Sequence, residues 1–330
     1  MRPFDQRTTS DRETQLLDVL RRRHAAGDRR PEGWEEVIPA FPLKIQIQTT
    51  TRCNAACVMC PYDAITSEPG FTHHQMDEAL YLEILTQLRG RGIERLSLFL
   101  MNEPLLDVRM VEWVSLARQA LPGVTLGLFT NGSPLTADLA RDLAAAGLDE
   151  LCISFHGFDP KTYEQVMKGL SYGRARRNVD QVIALHRAGA LGALHLQLIA
   201  GDLPEIDVSG ARADPRLRDY IQLKSFSNEL SAAGVRTDAS VPVLEPPGHG
   251  VCQRPFVKLY ILTNGDCVMC NVDWRRTVVL GRVGREPDGQ IESIWKGARY
   301  RALREAHLSG RFGCHHTCAG CDYPRTVEDL

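Results

Sequence analysis

The sequence predicts an α/β fold: a partial (βα)6 barrel of the TIM type followed by a small α+β domain. Three observations predict it. Short apolar segments alternate with helical ones between residues 43 and about 240, the pattern of parallel βαβ units. The strands are apolar on one parity and largely polar on the other. Leu151, Ile153 and Phe155 alternate with Cys152, Ser154 and His156; Leu194, Leu196 and Leu198 with His195, Gln197 and Ile199; Ile45 and Ile47 with Gln46 and Gln48. A sheet covered on both faces would be apolar on both. A barrel with helices outside and a polar ligand inside gives this alternation. Finally, the pattern changes after Glu245-Pro246-Pro247-Gly248-His249-Gly250 to a hairpin and a cysteine-rich tail.

In chain order, residues 1–42 read as a helical extension (12–23) and a Gly/Pro-containing linker. The barrel occupies 43–244, with strands over 43–49, 95–101, 124–130, 150–155 and 193–200 and a weaker sixth over 235–241. Helices follow over 77–89, 108–121, 136–146, 179–188 and 216–233. The domain at 245–330 opens with a hairpin, strands 258–263 and 266–272 around Asn264-Gly265, a pair suited to a tight turn at positive φ. A helix over 291–307 precedes the tail.

Composition narrows the function. Lys and Arg number 39 against 41 Asp and Glu, a net charge of −2, which excludes the basic footprint of a nucleic-acid or anionic-membrane binder. The apolar runs are strand-length, far below the ~20 residues that span a bilayer. The polar N-terminus lacks the apolar core of a secretory signal, so the expected compartment is the cytoplasm. Disulfides are improbable there, and close-set cysteines read as metal ligands.

Nine of the ten cysteines fall in two groups. The first is Cys53, Cys57 and Cys60, spaced C-x3-C-x2-C directly after the first strand. Structural zinc takes four protein ligands. Three thiolates on one loop can instead hold three irons of a cubane cluster, leaving one open to a small molecule. The loop Thr51-Arg52-Cys53-Asn54-Ala55-Ala56-Cys57-Val58-Met59-Cys60-Pro61 resembles that of the radical S-adenosylmethionine (SAM) enzymes. The resemblance implies a 4Fe–4S cluster whose open iron chelates SAM, and one-electron cleavage to a 5′-deoxyadenosyl radical that abstracts hydrogen from substrate.

The same resemblance extends over residues 43–240. Met101-Asn102-Glu103-Pro104 looks like the family's Gly-Gly-Glu-Pro segment, with Glu103 implied at the SAM amino group and the glycines replaced. Helix N-terminal acids are also favoured by the helix dipole, an alternative role for Glu103. Asn131 closes Thr130-Asn131-Gly132 as in many members, and Ser154-Phe155-His156-Gly157 resembles Ser-x-Asp-Gly with His156 in place of the acid. Lys168 lies where members carry a base for the SAM carboxylate. Met59 precedes the last cysteine, where an aromatic commonly lies against adenine; its polarisable thioether substitutes for the ring. Gln197, on the polar parity of the fifth strand, completes the set directed at the cofactor.

The second group fits the opening of the SPASM pattern: Cys252, twelve residues, Gly265, four residues, Cys270, and later Cys318-x2-Cys321. The remaining ligands of the full pattern are missing, which resembles the shorter twitch version with one auxiliary 4Fe–4S cluster. Cys252, Cys270, Cys318 and Cys321 would hold it, leaving no open iron, so it would pass electrons. Cys267 is an alternative to Cys270, and a structural zinc site is the alternative to the cluster. Cys152, Cys267 and Cys314 remain as candidate hydrogen donors, and His156, His195, Asp202 and Glu205 as candidate proton acceptors.

Antibiotic-pathway members with a twitch domain, which act on aminoglycosides and sugars, imply a hydroxylated small-molecule substrate oxidised from alcohol to ketone. Epimerisation through a thiol, sugar-acid decarboxylation and maturation of a ribosomal peptide are the other reactions the resemblance allows. It also implies a flavodoxin- or ferredoxin-type electron donor, with no nucleic-acid or membrane partner.

Overall fold

Six parallel strands stand side by side in chain order: Lys44–Ile47 (β1), Arg95–Ser97 (β2), Thr125–Thr130 (β3), Glu150–Ser154 (β4), Ala193–Ala200 (β5) and Ile221–Ser225 (β6). The structure is a computed structural model that describes residues 11–27, 33, 38–200, 213–225, 252–311, 315–319 and 321. Helices Glu78–Leu88, Met110–Ala120, Ala137–Ala145 and Tyr172–Arg187 connect the first five strands. Side chains cap two of them and the short helix Pro160–Val166 that follows β4. The Asp77 side chain accepts from the Ala79 N–H, Thr136 from Leu139, and Asp159, with Pro160 next, from Thr162, satisfying first-turn donors that have no helical partner.

The two parities of the strands face different surroundings. Ile45, Ile47, Leu96, Leu126, Leu128, Leu151, Ile153, Leu194, Leu196 and Leu198 are buried in one apolar core with helix residues such as Tyr81, Trp113, Val179 and Val182. The other parity carries the polar groups. Arg95 pairs with Glu150 and donates through Nε to Ser97. Lys44 pairs at 2.6 Å with Glu13 of the N-terminal helix Asp11–Ala25, both side chains only 3% exposed. Leu16, Leu17 and Leu20 of that helix pack on Leu43, Phe256, Val257 and Leu308.

The C-terminal hairpin extends the barrel sheet. Lys258–Ile261 (β7) pairs parallel with β1 along all four residues, and Asp266–Val268 (β8) and Val279–Arg282 (β9) add antiparallel strands, giving the order β6-β5-β4-β3-β2-β1-β7-β8-β9. The Leu43 N–H donates to the Val257 carbonyl and that of Gln48 to Ile261, lengthening the β1–β7 seam at both ends. Gly265 has φ +84° at the turn, the left-handed conformation expected of the Asn264-Gly265 pair.

Two expectations need correction. Residues 216–233 are not one helix: Ile221–Ser225 is the sixth strand, paired with β5 from Leu196 to Ala200. The run's Arg, Leu, Gln and Lys residues favour a helix, but the open edge of β5 offers a five-residue ladder and buries Ile221 and Gln222. The alternative sixth strand at 235–241 lies outside the described residues. The helix expected over 291–307 is two, Ile291–Lys296 and Ala298–Leu308. Gly297 is extended between them, and a Cβ there would come within 2.9 Å of the Ser293 carbonyl. Among the described residues no helix is long and apolar enough to cross a membrane.

Candidate functional site

The N-terminal cysteine loop leaves β1 and is clamped along its length. The Tyr62 hydroxyl donates to the Thr51 carbonyl at 3.1 Å and accepts the Cys53 N–H at 2.7 Å. The Ala56 N–H donates to the Lys168 carbonyl and that of Val58 to Val166, at 2.8 and 3.0 Å. Gly169 (φ +87°) allows this approach, since a Cβ there would lie 3.2 Å from the Asn54 carbonyl. Cys53, Cys57 and Cys60 are thus held half-buried on one short loop. Burial pushes the Cys53 thiol up to about 11 and the Cys57 thiol up to about 12, Glu103 adding to both. Thiolates in such a setting need a cationic partner. Three soft sulfur donors with that need fit an iron–sulfur cluster.

Glu103, 1% exposed, joins the cysteine loop to β2 and β3. Its N–H donates to the Arg52 carbonyl at 2.9 Å. Its carboxylate accepts from Thr130 Oγ1 (2.7 Å), Leu105 N (3.0 Å) and Asn131 N (2.6 Å). The bond to Leu105 caps the 3-10 turn Pro104–Leu106, so the helix-terminus role is real. Burial nevertheless pushes its carboxyl up to about 7 against those three donors, and a nearby ammonium would restore the ionised form. At Met101 and Asn102, which stand in place of the family's glycines, Asn102 Oδ1 accepts the Leu100 N–H and Gln48 Nε2 donates to the Met101 carbonyl.

The other expected residues divide. Asn131 donates through Nδ2 to Asn54 Oδ1 at 2.8 Å and so supports the cysteine loop. Cys152 is fully buried on the polar parity, in register between Phe129 and His195. Ser154 and Gln197 face each other across β4 and β5, both half-buried. His156 is buried beyond β4. His195 Nδ1 lies 2.6 Å from Gln222 Nε2, a partner the sequence did not single out because residue 222 fell in an expected helix. Met59 is buried in the main core. The Lys168 side chain is exposed; its contribution to the loop is its carbonyl. Asp202, Glu205 and Cys314 lie outside the described residues.

The second cysteine group forms one site. Cys252, Cys270, Cys318 and Cys321 all line one partly open cavity, with Arg254, Met269, His307 and Thr317. Among the described residues no three His, Cys, Asp or Glu side chains are gathered closely enough for a single metal ion; these thiols line a cavity wall. Cys267 is fully buried in the core, on β8, and does not line the cavity, whereas Cys270 does. Asp273, missed in the sequence, fixes the site. Its fully buried carboxylate accepts from Thr277 N (2.9 Å), Thr277 Oγ1 (2.8 Å), Val278 N (3.2 Å) and Thr317 Oγ1 (3.1 Å). It thereby ties the segment after Cys270 to the residue before Cys318.

Comparison with known proteins matches these two sites to two families. Residues 47–189 match the radical SAM superfamily and residues 252–322 an iron–sulfur cluster-binding SPASM domain. The chain is 21% identical over 280 residues to the SAM-dependent 2-deoxy-scyllo-inosamine dehydrogenase of Niallia circulans, covering 84% of this chain and 92% of that protein. It is 32% identical over 146 residues to a GTP 3′,8-cyclase of Picosynechococcus sp., where it spans only 44% of the cyclase. Among solved structures, BtrN in complex with AdoMet and 2-DOIA is similar at a TM-score of 0.59 and 18% identity, covering 87% of this chain and 96% of that one. Streptococcus suis SuiB bound to its precursor peptide SuiA reaches 0.60 at 13% identity, covering 85% and 71%. The likeness of both structures is one of fold.

Proposed function

We propose that this radical SAM enzyme, with its C-terminal iron–sulfur cluster-binding domain, oxidises a secondary alcohol of a hydroxylated small molecule to a ketone in natural-product biosynthesis. The substrate class is a sugar, aminocyclitol or nucleoside. One observation carries the reading: four cysteines from three separate segments line one cavity, a ligand set that leaves no iron open for substrate and suits an electron acceptor. The near end-to-end match to an aminocyclitol dehydrogenase supports the same reading.

When bound, the N-terminal cluster with SAM supplies a hydrogen-atom acceptor, and the auxiliary cluster accepts one electron. Cys53, Cys57 and Cys60 would hold the first cluster, Glu103 would pair with the SAM ammonium, and Asn131 braces the loop. Cys252, Cys270, Cys318 and Cys321 would hold the second. The alcohol loses a hydrogen atom from carbon, a proton from oxygen and one electron, which sum to the two hydrogens removed. His156 and His195, the latter with Nδ1 within hydrogen-bond distance of the Gln222 side-chain amide, are the candidate proton acceptors. A flavodoxin- or ferredoxin-type protein delivers the priming electron.

Cys152 supports a second reading, since a thiol on the polar parity beside His195 can return a hydrogen atom and give an epimer. Anaerobically reconstituted enzyme, incubated with SAM, reductant and candidate aminocyclitols and sugars in deuterium oxide, separates the two. Dehydrogenation yields a product lighter by two hydrogens; epimerisation yields one carbon-bound solvent deuteron. SAM cleavage with neither product from any polyol would overturn the substrate class.

A further inference from the structure

We propose that Arg254 is a positioning residue for the auxiliary cluster: its N–H···S bond to Cys270 raises that cluster's reduction potential and fits it to take the substrate's electron. The inference rests on the reading that the C-terminal cavity holds an electron-accepting cluster.

Arg254 is 7% exposed and lines the cavity with the four cysteines, its guanidinium nitrogen 3.1 Å from Cys270 Sγ. The backbone behind it is fixed by a second buried arginine. Arg304 donates through Nε to the Pro255 carbonyl and through a terminal nitrogen to that of Trp295, both at 2.9 Å. Its guanidinium also stacks 4.1 Å from the Trp295 ring centroid and 4.6 Å from that of Tyr300. His307, one turn further along the same helix, places Nε2 3.6 Å from Cys318 Sγ. Two cysteine sulfurs therefore meet nitrogen groups, and among the described residues no carboxylate lines the cavity.

The electrostatics give the sign. A cubane held by four thiolates is a net anion, and one-electron reduction makes it more negative. Guanidinium stays charged at any working pH, and its attraction for the more negative state is amplified where water is excluded. Hydrogen bonds to ligand sulfurs and nearby charge are the protein's principal means of setting cluster potentials. The electron balance is closed. The substrate radical, once its hydroxyl proton has left, passes one electron to the auxiliary cluster and becomes the ketone.

The test follows the auxiliary cluster by EPR-monitored potentiometry in the full-length holoprotein. SAM is added so that the signal of the open cluster is distinguished. In Arg254→Gln, the reduced-to-oxidised ratio at a fixed potential is expected to fall about tenfold or more, ~59 mV per tenfold for one electron. Arg254→Lys, which keeps the charge but not the planar donor, is expected to fall between the two. The exchangeable-deuteron coupling that the guanidinium N–H gives the cluster should vanish in Arg254→Gln. A Gln variant that keeps its iron and the wild-type potential overturns the inference. If the Gln variant loses the cluster, an unchanged potential in the Lys variant does so. Wild-type protein with no iron beyond the N-terminal cluster would instead defeat the functional reading itself.

Discussion

At the scale of single residues, Glu103 is the group whose chemistry is most exposed to test. Its carboxyl is pushed up to about 7 from an ordinary 4.5 by burial. A carboxyl whose folded-state pKa is raised binds its proton more tightly in the native state. Its contribution to stability is therefore full below about 4.5 and is lost as the pH rises to about 7. An ammonium beside it reverses the preference, so SAM binding to cluster-loaded protein should tighten as the pH rises through about 7. Glu103→Gln removes the charge and keeps the shape. It should weaken SAM binding by ~10–100-fold, the range of a charged hydrogen bond, and flatten the pH dependence, both readable by anaerobic calorimetry. Glu103 was legible because a motif and a strand end coincide on it. Gln222 was not, because only the β5–β6 ladder, which sets it opposite Gln197, brings its amide diagonally to His195.

At the scale of elements, the auxiliary site depends on a clasp with no sequence signature. Asp273 gathers four donors from residues 277, 278 and 317, and nothing local distinguishes it from a surface aspartate. Asp273→Ala removes the buried acceptor that these donors share, of which only Thr317 is itself buried, at a cost of ~1–3 kcal/mol. Iron per chain should fall from about eight to about four, two cubanes to one, while the N-terminal EPR signal with SAM is retained. Gly265, by contrast, was legible from the Asn264-Gly265 pair. Its φ of +84° makes Gly265→Ala costly by ~1–2 kcal/mol in a denaturant titration. The N-terminal helix was also expected, but not its buried Glu13–Lys44 pair. Glu13→Ala strands the lysine charge and should lower stability by ~3–5 kcal/mol. The strand at Ile221–Ser225 was missed for the opposite reason: a composition that favours helix was overruled by an unfilled sheet edge.

At the scale of the whole molecule, strand–helix alternation foretold the barrel and the close spacing of Cys53, Cys57 and Cys60 marked the first thiol loop, while Cys252, Cys270, Cys318 and Cys321, spread over seventy residues, were read only through a family pattern. The union of the two parts was not foretold, because it lies in a backbone seam between residues more than two hundred positions apart. The triple variant Cys53→Ala, Cys57→Ala, Cys60→Ala should abolish SAM cleavage but keep about four irons and the wild-type circular dichroism, since the main core is contiguous without those thiols. The β1–β7 seam has a mechanical consequence. The strand that launches the first cysteine loop and the strand framed by Cys252 and Cys270 are hydrogen-bonded neighbours in one plate. The ladder ties the launch point of one thiol loop to the strand between the auxiliary thiols, so a change that loosens the pairing of β1 with β7 disturbs both sites at once.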